Sequence, residues 1–468
     1  MLFKEVFEPF IEESAISVMN RMVLEHVFAP PKLNAVFEIA AELQYTRELL
    51  FSSVVDLMSM VVMRTRSSVS AAYRKHREQV GVSIQAVYDK LKGIETRTSR
   101  DLVRFTARES TALIDQLKGT RTPLLPRYRV KILDGNHLAG TDHRLDVLKE
   151  TKAGALPGQS LVLLDPEYML VTDIFLCEDG HAQERSFLFQ VLEAIVAWDL
   201  IIADRNFCTT QFLFGIAPLQ AFFLIRQHSQ NLYWQLQGRC RYLGRTTTGR
   251  VYEQQVTLHN PETGEDLVTR RITVKLDVPT RDGDTEIHLI TNVPAKAANA
   301  VKIAELYLHR WKLETAFQEM TVDLKCEINT LGYPKAALFG FCVAVSCYNL
   351  WAALKAAICA AHGETAVQHD LSNFYLADDI KSVYRGMMIA IPAPNWVQFQ
   401  TMSISKFCKL LIQVAKRIDW AMLQKSHRGP KLPKPKLPSA KNKHVSTAKL
   451  LAAAKQKKRA TETLEESP

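Results

Sequence analysis

Two aspartates directly follow apolar runs, at positions where β-strands are predicted to end. Asp134 follows RVKIL and precedes Gly135, and Asp204 follows LIIA in the segment WDLIIADRNF. Carboxylates at the ends of neighbouring strands lie close together, and paired carboxylate oxygens suit hard cations such as Mg²⁺. Aspartate is also a common turn former. The pair therefore predicts metal-assisted chemistry only if further groups join it.

A third candidate group lies in the segment AELYLHRWKLETAFQEM. Tyr307, Arg310 and Glu314 are spaced i, i+3 and i+7, which places them on one face of a predicted helix, with Trp311 beside them. A carboxylate and an arginine on one face suit metal-assisted phosphoryl transfer: the Glu completes a metal site, and the Arg and Tyr hold a phosphate and a neighbouring nucleotide. Taken alone, such a face is an ordinary solvated helix surface.

The charge of the chain is unevenly distributed along its 468 residues, which carry a formal net charge of +10. Residues 421–460 contain 12 Lys/Arg and no Asp/Glu, residues 64–108 contain 11 basic and 4 acidic residues, and the remainder is acidic overall. Two basic segments beside an acidic body indicate a protein that handles a polyanion. The apolar content of 47% excludes a wholly disordered chain, and eight cysteines without a CxxC pair indicate reduced thiols rather than a zinc site.

Helical periodicity dominates the first part of the chain, and we predict a helical N-terminal DNA-binding region over residues 1–122. The stretch AAYRKHREQVGVSIQAVYDKLKG predicts a helix, a turn at Gly81 and a second helix capped by Ser83. As a helix-turn-helix, this unit would direct some side chains at a major groove and others at the DNA backbone. The groove candidates are Gln85, Tyr88, Asp89 and Lys92, and the backbone candidates are Arg74, Lys75 and Arg77. An ordinary helical hairpin with a basic face fits the stretch equally well.

The pattern of apolar residues changes after residue 123. Short apolar runs there predict strands at 129–133, 161–164, 169–176, 200–203 and 221–225, with a helix at 182–198. Three strands, a helix and two further strands is the order of a ribonuclease H-like core, which makes the fold class α/β. We assign residues 123–226 and 300–425 to this core and residues 227–299 to a β-rich insertion. Residues 426–468 are rich in proline and lysine and predict a disordered basic tail.

Several features have a structural interpretation. Residues 336–354 are uncharged and long enough to span a membrane, but we favour a buried core helix and expect no membrane association. Asp173 interrupts a strand and is predicted to face solvent. Arg205, next to Asp204, suits either a DNA-phosphate contact or simple turn chemistry.

Taken together, DG after the first strand, DR after the fourth, and Y-x₂-R-x₃-E on a helix after a β-rich insertion resemble bacterial insertion-sequence transposases of the DDE class. The resemblance is strongest to the type-four insertion-sequence family, with its retroviral-integrase-like fold, and covers residues 131–348. It implies that Asp134, Asp204 and Glu314 are catalytic metal ligands and that Tyr307 and Arg310 contact DNA near the transposon end. Trp311 is a further candidate DNA contact.

One position departs from the family pattern, which continues to a lysine seven residues after the glutamate. Thr321 occupies that position here, and Lys325, one turn later, is a candidate substitute for DNA binding. The departure leaves open an alternative function, a catalytically impaired DNA-binding protein derived from a transposase.

The resemblance also implies the reaction and its partners. We expect cut-and-paste transposition: cleavage at terminal inverted repeats and strand transfer into double-stranded target DNA. Two Mg²⁺ ions per active site, replaceable by Mn²⁺, would assist both steps. We further expect a homodimer in the synaptic complex, because two transposon ends must be handled together, and a cytoplasmic, nucleoid-associated location in a bacterium.

Overall fold

The N-terminal part of the computed structural model is helical, as predicted. The structure describes residues 5–46, 48–228, 232–280, 283–426 and 444–465, with backbone alone for 460–465. After a short 3₁₀ turn at Glu5–Phe7, six helices follow: α1 (Glu8–Val27), α2 (Pro30–Ala40), α3 (Phe51–Val62), α4 (Val69–Val80), α5 (Ile84–Gly93) and α6 (Thr96–Gln116).

The predicted helix, glycine turn and second helix are present as α4, Gly81 and α5. Gly81 ends α4 with a φ of 71°, a left-handed conformation that glycine adopts without strain. The hydroxyl of Ser83 accepts a hydrogen bond from the backbone N–H of Ala86 and caps α5. The two helices and their turn are therefore confirmed as secondary structure.

Six strands and three short helices follow over residues 129–226, and five of these strands belong to the sheet at the centre of the molecule. They are β1 (Arg129–His137), α7 (Asp146–Lys149), β2 (Gly154–Leu156), β3 (Gln159–Asp165), β4 (Leu170–Cys177), α8 (Leu188–Ala194), β5 (Asp199–Ala203), α9 (Thr210–Ile216) and β6 (Phe222–Arg226). Five of these strands lie in the order β4-β3-β1-β5-β6. β1 pairs with β5 and β5 with β6 in parallel, whereas β3 runs antiparallel to both β1 and β4. The predicted ribonuclease H-like core is confirmed.

Alternate residues of the central strands enter two different cores. Leu200 and Ile202 of β5 join a large core with the N-terminal helices, while Ile201 and Ala203 join a smaller core with α8 and α9. Both faces of the sheet are therefore covered, which explains why the central strands read as continuous apolar runs in the sequence. The predicted helix at 182–198 is shorter than expected: a 3₁₀ turn at Glu184–Phe187 precedes α8.

Four long strands extend this sheet rather than forming a separate one. They are β7 (Tyr233–Arg245), β8 (Gly249–His259), β9 (Asp266–Leu276) and β10 (Glu286–Thr291). β10 pairs antiparallel with β6, so the sheet continues in the order β6-β10-β9-β8-β7 to nine strands. The β-rich character predicted for residues 227–299 is present in the described part of that segment.

Helices return after the sheet. They are α10 (Ala300–Leu308), α11 (Trp311–Val322), α12 (Pro334–His362), α13 (Glu364–Asp370), α14 (Asn373–Ser382), α15 (Tyr384–Ala390), α16 (Ala393–Val397) and α17 (Ile404–Ala415). α12 packs against α6, α3, α17 and α5. In the described part of the chain it is the one helix whose length and composition would suffice to cross a membrane, and its most apolar stretch is entirely buried. The prediction of a buried core helix is confirmed.

Asn349, a polar residue in the apolar helix α12, bonds the helix to the sheet. Its amide oxygen accepts from the backbone N–H of Val171 at 2.8 Å, and its amide nitrogen donates to the Val171 carbonyl at 2.9 Å. Val171 lies on β4, the outer strand of the sheet. Asn349 thus satisfies backbone groups that a neighbouring strand would otherwise bond.

The prediction for Asp173 is wrong. Its side chain is only 8% exposed, and it accepts hydrogen bonds from Arg100 and Arg104 of α6 at 2.8–3.0 Å. Two guanidinium groups compensate the burial of this carboxylate. The resulting ion pairs join α6 to β4.

Part of the predicted disordered tail is ordered. β11 (His444–Ser446) pairs in parallel with β2, and α18 (Thr447–Glu465) follows it. Ser446 and Thr447 are buried, and Lys449 forms an ion pair with Asp179. The alanine- and lysine-rich sequence after residue 447 favours helix, which explains the departure. Residues 427–443, the proline-rich part of the tail, lie outside the described residues.

Candidate active site

The two candidate aspartates meet because of the register of two parallel strands. The last paired residues of β1 and β5 are Leu133 and Ala203, so Asp134 and Asp204 are the next residues on neighbouring strands. β1 continues along β3 beyond this point, whereas β5 ends. The two carboxylates therefore lie side by side at the edge where β5 stops.

Asp204 is not acting as a turn former. It precedes the 3₁₀ turn Arg205–Phe207, but its side chain does not cap that turn. Instead, Asp204 Oδ1 accepts a hydrogen bond from the hydroxyl of Tyr307 at 3.4 Å. Burial, reinforced by the charge of Asp204, raises the pKa of Tyr307 well above its ordinary value. The tyrosine therefore stays neutral and can donate to the carboxylate.

The helix that was predicted to carry three site residues is broken between them. The backbone N–H groups of His309 and Arg310 donate to carbonyls three residues earlier, Leu306 and Tyr307, rather than four. This tight turn separates α10, which carries Tyr307, from α11, which carries Glu314. The expectation of one continuous helical face is therefore wrong, yet the three side chains still reach one site.

Arg310 connects the carboxylates. Its Nη1 donates to Asp134 Oδ2 at 2.9 Å, and its Nη2 donates to Glu314 Oε1 at 2.6 Å. The Arg310 side chain is 12% exposed, whereas that of Glu314 is 54% exposed. The guanidinium thus brings the third predicted acid to the pair of strand-end aspartates.

Negative charge accumulates around Asp134. Burial raises the pKa of the Asp134 carboxyl to about 6 against the opposing effects of Arg310 and the Gly135 N–H, and the charges of Asp204 and Glu184 raise it further. Glu184 lies directly over Gly135: a Cβ atom there would be 1.9 Å from Glu184 Oε1. A side chain at position 135 would therefore displace Glu184, so the glycine permits this close approach.

Glu184 is a site residue that the sequence did not indicate. Its side chain is 19% exposed and lies 3.7 Å from Nε2 of His137. It stands at the start of a 3₁₀ turn in a polar segment, EDGHAQERS, where nothing in the spacing distinguishes it from other surface acids. Only the folded chain brings it beside Asp134.

The donor chemistry of the site fits a hard divalent cation. Asp134, Asp204 and Glu314 offer carboxylate oxygens, and a cation would offset both the burial of Asp134 and the neighbouring charges of Asp204 and Glu184, which together raise its pKa. Within the described residues, no three acidic, histidine or cysteine side chains are already arranged around one ion position. Arg310 takes the place of such a cation between Asp134 and Glu314.

The remaining predicted DNA contacts lie outside this network. The predicted DNA contacts on α4 and α5 have exposed side chains except Tyr88, which is half-buried, and Arg205 and Trp311 are also exposed. The exposed ones on α4 and α5 are Arg74, Lys75, Arg77, Gln85, Asp89 and Lys92. On α5, Asp89 bonds both Gln85, at 3.0 Å, and Lys92, at 2.5 Å. These exposed side chains are available to an external partner, and their DNA contacts stay predictions.

Lys325, the proposed substitute for the missing family lysine, is engaged elsewhere. Its Nζ donates to the Ser67 carbonyl at 2.9 Å, and its backbone N–H donates to the Val62 carbonyl at 2.7 Å. In return, Arg64 donates to the carbonyls of Thr321 and Leu324. These bonds fasten the end of α11 to the loop between α3 and α4, and the DNA role of Lys325 remains a prediction.

Comparison with known proteins gives the following similarities. No curated protein matches the chain. The chain is similar to a solved structure described as a piggyBac transposase synaptic complex with hairpin DNA, at 12% identity and a TM-score of 0.37, with 90% of this chain and 87% of that chain covered.

The family model described as the transposase DDE domain matches residues 125–350. This range includes the three acids at the site, from β1 with Asp134 to α11 with Glu314. Residues 125–350 are therefore a transposase DDE domain.

Proposed function

We propose that this protein performs cut-and-paste transposition: it cleaves DNA at the ends of a transposon and joins those ends to target DNA. One observation carries the proposal. Asp134 and Asp204 follow the last paired residues of two parallel strands, and Arg310 holds Glu314 beside them. Three carboxylates gathered at one sheet edge in a DDE domain support metal-assisted phosphoryl transfer.

Asp134, Asp204 and Glu314 are the residues that would hold the cations, two Mg²⁺ ions per site with Mn²⁺ as a substitute. When bound, these ions supply Lewis-acid activation at phosphorus and offset the negative charge that develops there.

Arg310 has one role in the protein alone and a second role when DNA is bound. It neutralises Asp134 and Glu314 in the protein alone, and its Nε is buried without a hydrogen-bond partner among the described residues. Guanidinium groups bind phosphate oxygens well through paired N–H groups. We therefore infer that Arg310 turns from the carboxylates towards a DNA phosphate when the site is loaded.

Tyr307 and Trp311 flank this arginine and have different tasks. Tyr307 keeps its proton and fixes the orientation of Asp204. Trp311 is 59% exposed at the start of α11, so its ring is accessible to a nucleotide near the reacting phosphate.

The same site can serve both chemical steps. In the first, water attacks phosphorus and the bond to the 3′ oxygen breaks, which frees a 3′ hydroxyl. In the second, that hydroxyl attacks a phosphorus of the target strand, a new P–O bond forms and the target's own 3′ oxygen leaves. Both are displacements at phosphorus, so one arrangement of charges suits both.

DNA ends would be found by the exposed basic faces of α4 and α5, which support backbone contacts through Arg74, Lys75 and Arg77. A homodimer in the synaptic complex is part of the proposal, since two inverted repeats must be cut and joined together.

The proposal is tested with duplex DNA that ends in the inverted repeats flanking the gene, incubated with Mg²⁺ or Mn²⁺. We expect the wild-type protein to cleave the repeat ends and Glu314→Gln to lose more than about 100-fold in rate. Glu305→Gln, an exposed acid on α10, is the matched control and should keep full activity. Binding by the wild-type protein without cleavage or joining would favour the impaired DNA-binding protein instead.

A further inference from the structure

The outermost strand of the sheet, β7, is exposed on both faces. It has 13 residues, and every side chain along it is exposed except that Gly244 is half-exposed. It is the last strand in the sheet order, so no described strand neighbours its second backbone edge. A long strand that packs on no core is costly to leave bare, because its backbone groups can pair with another chain.

The composition of β7 indicates what covers it. The strand reads YWQLQGRCRYLGR, with three arginines and no acidic residue. Tyr233, Trp234 and Tyr242 are 66%, 37% and 57% exposed. Arginines interleaved with exposed aromatic rings are typical of nucleic-acid surfaces, where the cations meet phosphates and the rings meet sugars or bases.

Pairing with a second copy of this strand is disfavoured by its shape. The register with β8 shifts between Gln237 and Arg241 and again between Tyr242 and Gly244. Gly238, with a φ of 66°, lies within the first of these bulges. Bulges twist an edge away from a straight partner, and two copies side by side would bring like charges together. The charge and shape therefore favour a polyanion over another strand.

We propose that β7 contacts the DNA backbone at a distance from the cleaved transposon end. Arg239 and Arg241 are its phosphate-binding residues. The inference rests on the proposed function and adds a second contact surface to it. β5, which leads to Asp204, and β7 are five strand spacings apart in the sheet order, which is about 24 Å. This distance corresponds to about 7 base pairs of duplex from the scissile phosphate.

The position of this contact is tested by cross-linking through Cys240. Cys240 lies between the two arginines and is exposed, whereas the other seven cysteines are buried or half-buried. Asp204→Asn protein, which should leave the DNA uncut, is mixed with duplexes that carry a thiol tether on one phosphate at about 3 to about 12 base pairs from the end. We expect disulfide formation to peak near 7 base pairs and to vanish with Cys240→Ser. Bound DNA that gives no cross-link above the Cys240→Ser level at any position would overturn the inference.

The role of the arginines is tested by salt dependence. The double variant Arg239→Gln/Arg241→Gln should lose two phosphate contacts. Its plot of log affinity against log salt concentration should therefore be less steep than that of the wild-type protein, by about 2 in the slope. Lys406→Gln/Lys409→Gln is the charge-matched control, because both lysines are exposed on α17 in the helical part. Equal slope changes in both variants would mean that only net charge matters, and the inference would be wrong. If DNA is never cleaved yet the cross-link and slope results hold, the proposed function fails while the β7 contact stands.

Discussion

Nη1 of Arg310 lies 2.9 Å from Oδ2 of Asp134, so a cation from the helical segment neutralises the carboxylate at the end of the first strand. The same guanidinium pairs with Glu314. Two of the three candidate metal ligands are therefore already bound to a positive charge of the protein. A divalent ion must compete with this arginine before it can use both carboxylates.

Removing the arginine charge should strengthen metal binding in the absence of DNA. We expect Arg310→Gln to bind Mn²⁺ at least about tenfold more tightly than the wild-type protein, a difference of about 1.4 kcal/mol. Calorimetric titration or the Mn²⁺ paramagnetic resonance signal measures this affinity. Arg310→Lys keeps the charge and should stay close to wild type. Unchanged or weaker Mn²⁺ binding by Arg310→Gln would contradict competition.

The raised pKa of Asp134 predicts a pH-dependent stability in metal-free protein. Because the folded-state pKa of about 6 exceeds the ordinary value of 3.8, the native state binds more protons than the unfolded state between these values, and stability falls as pH rises through this window. Asp134→Asn stays neutral throughout. We expect it to be more stable than wild type at pH 7.5, by up to about 3 kcal/mol, and equally stable below about pH 4. Urea unfolding in EDTA checks this, and a less stable Asp134→Asn at pH 7.5 would rule it out.

Substitution of Lys325 tests whether this residue stabilises the fold or binds DNA. Its ammonium bonds the Ser67 carbonyl beside α4, so Lys325→Met should lower the free energy of unfolding by about 1 kcal/mol. Hydrogen exchange at the end of α11 should rise as well. Lys296→Met, at an exposed position, is the control for loss of a positive charge. Unchanged stability together with weaker DNA binding at low salt would instead assign Lys325 to the DNA.

The C-terminal helix should contribute to general DNA affinity. α18 carries Lys455, Lys457, Lys458 and Arg459, all exposed, and β11 anchors it to β2. Removal of residues 444–468 should weaken binding to unrelated duplex DNA and reduce its salt dependence. Substitution of Lys455, Lys457 and Lys458 by glutamine should reproduce most of this loss without disturbing the anchor. Identical salt slopes with and without the segment would refute a DNA role.

The sequence predicted the central strands well because their physical pattern is simple. Strands buried on both faces are continuous apolar runs, and LIIA before Asp204 is such a run. The adjacency of Asp134 and Asp204 then follows from parallel register. Asn349 shows the opposite case: its polarity within an apolar stretch is understood only from its bonds to β4.

Other features depend on contacts that local sequence does not contain. The turn between α10 and α11 is a change in the hydrogen bonds of two residues, His309 and Arg310, within an otherwise helical pattern. Glu184 joins the site from a segment 50 positions after Asp134. β7 was not predicted, because a strand exposed on both faces has no apolar alternation to detect.

The proposed function requires that the carboxylates at the strand ends hold divalent ions that assist DNA cleavage. Its most direct test compares wild type and Asp204→Asn on duplexes that end in the terminal repeat, with end cleavage and DNA affinity measured in the same samples with Mg²⁺, with Mn²⁺ and with EDTA. We predict cleavage by the wild-type protein with either metal, none in EDTA, and none by Asp204→Asn although it binds the repeat equally well. Cleavage by Asp204→Asn at the wild-type rate, or tight binding without any cleavage by the wild-type protein, would contradict the proposed function.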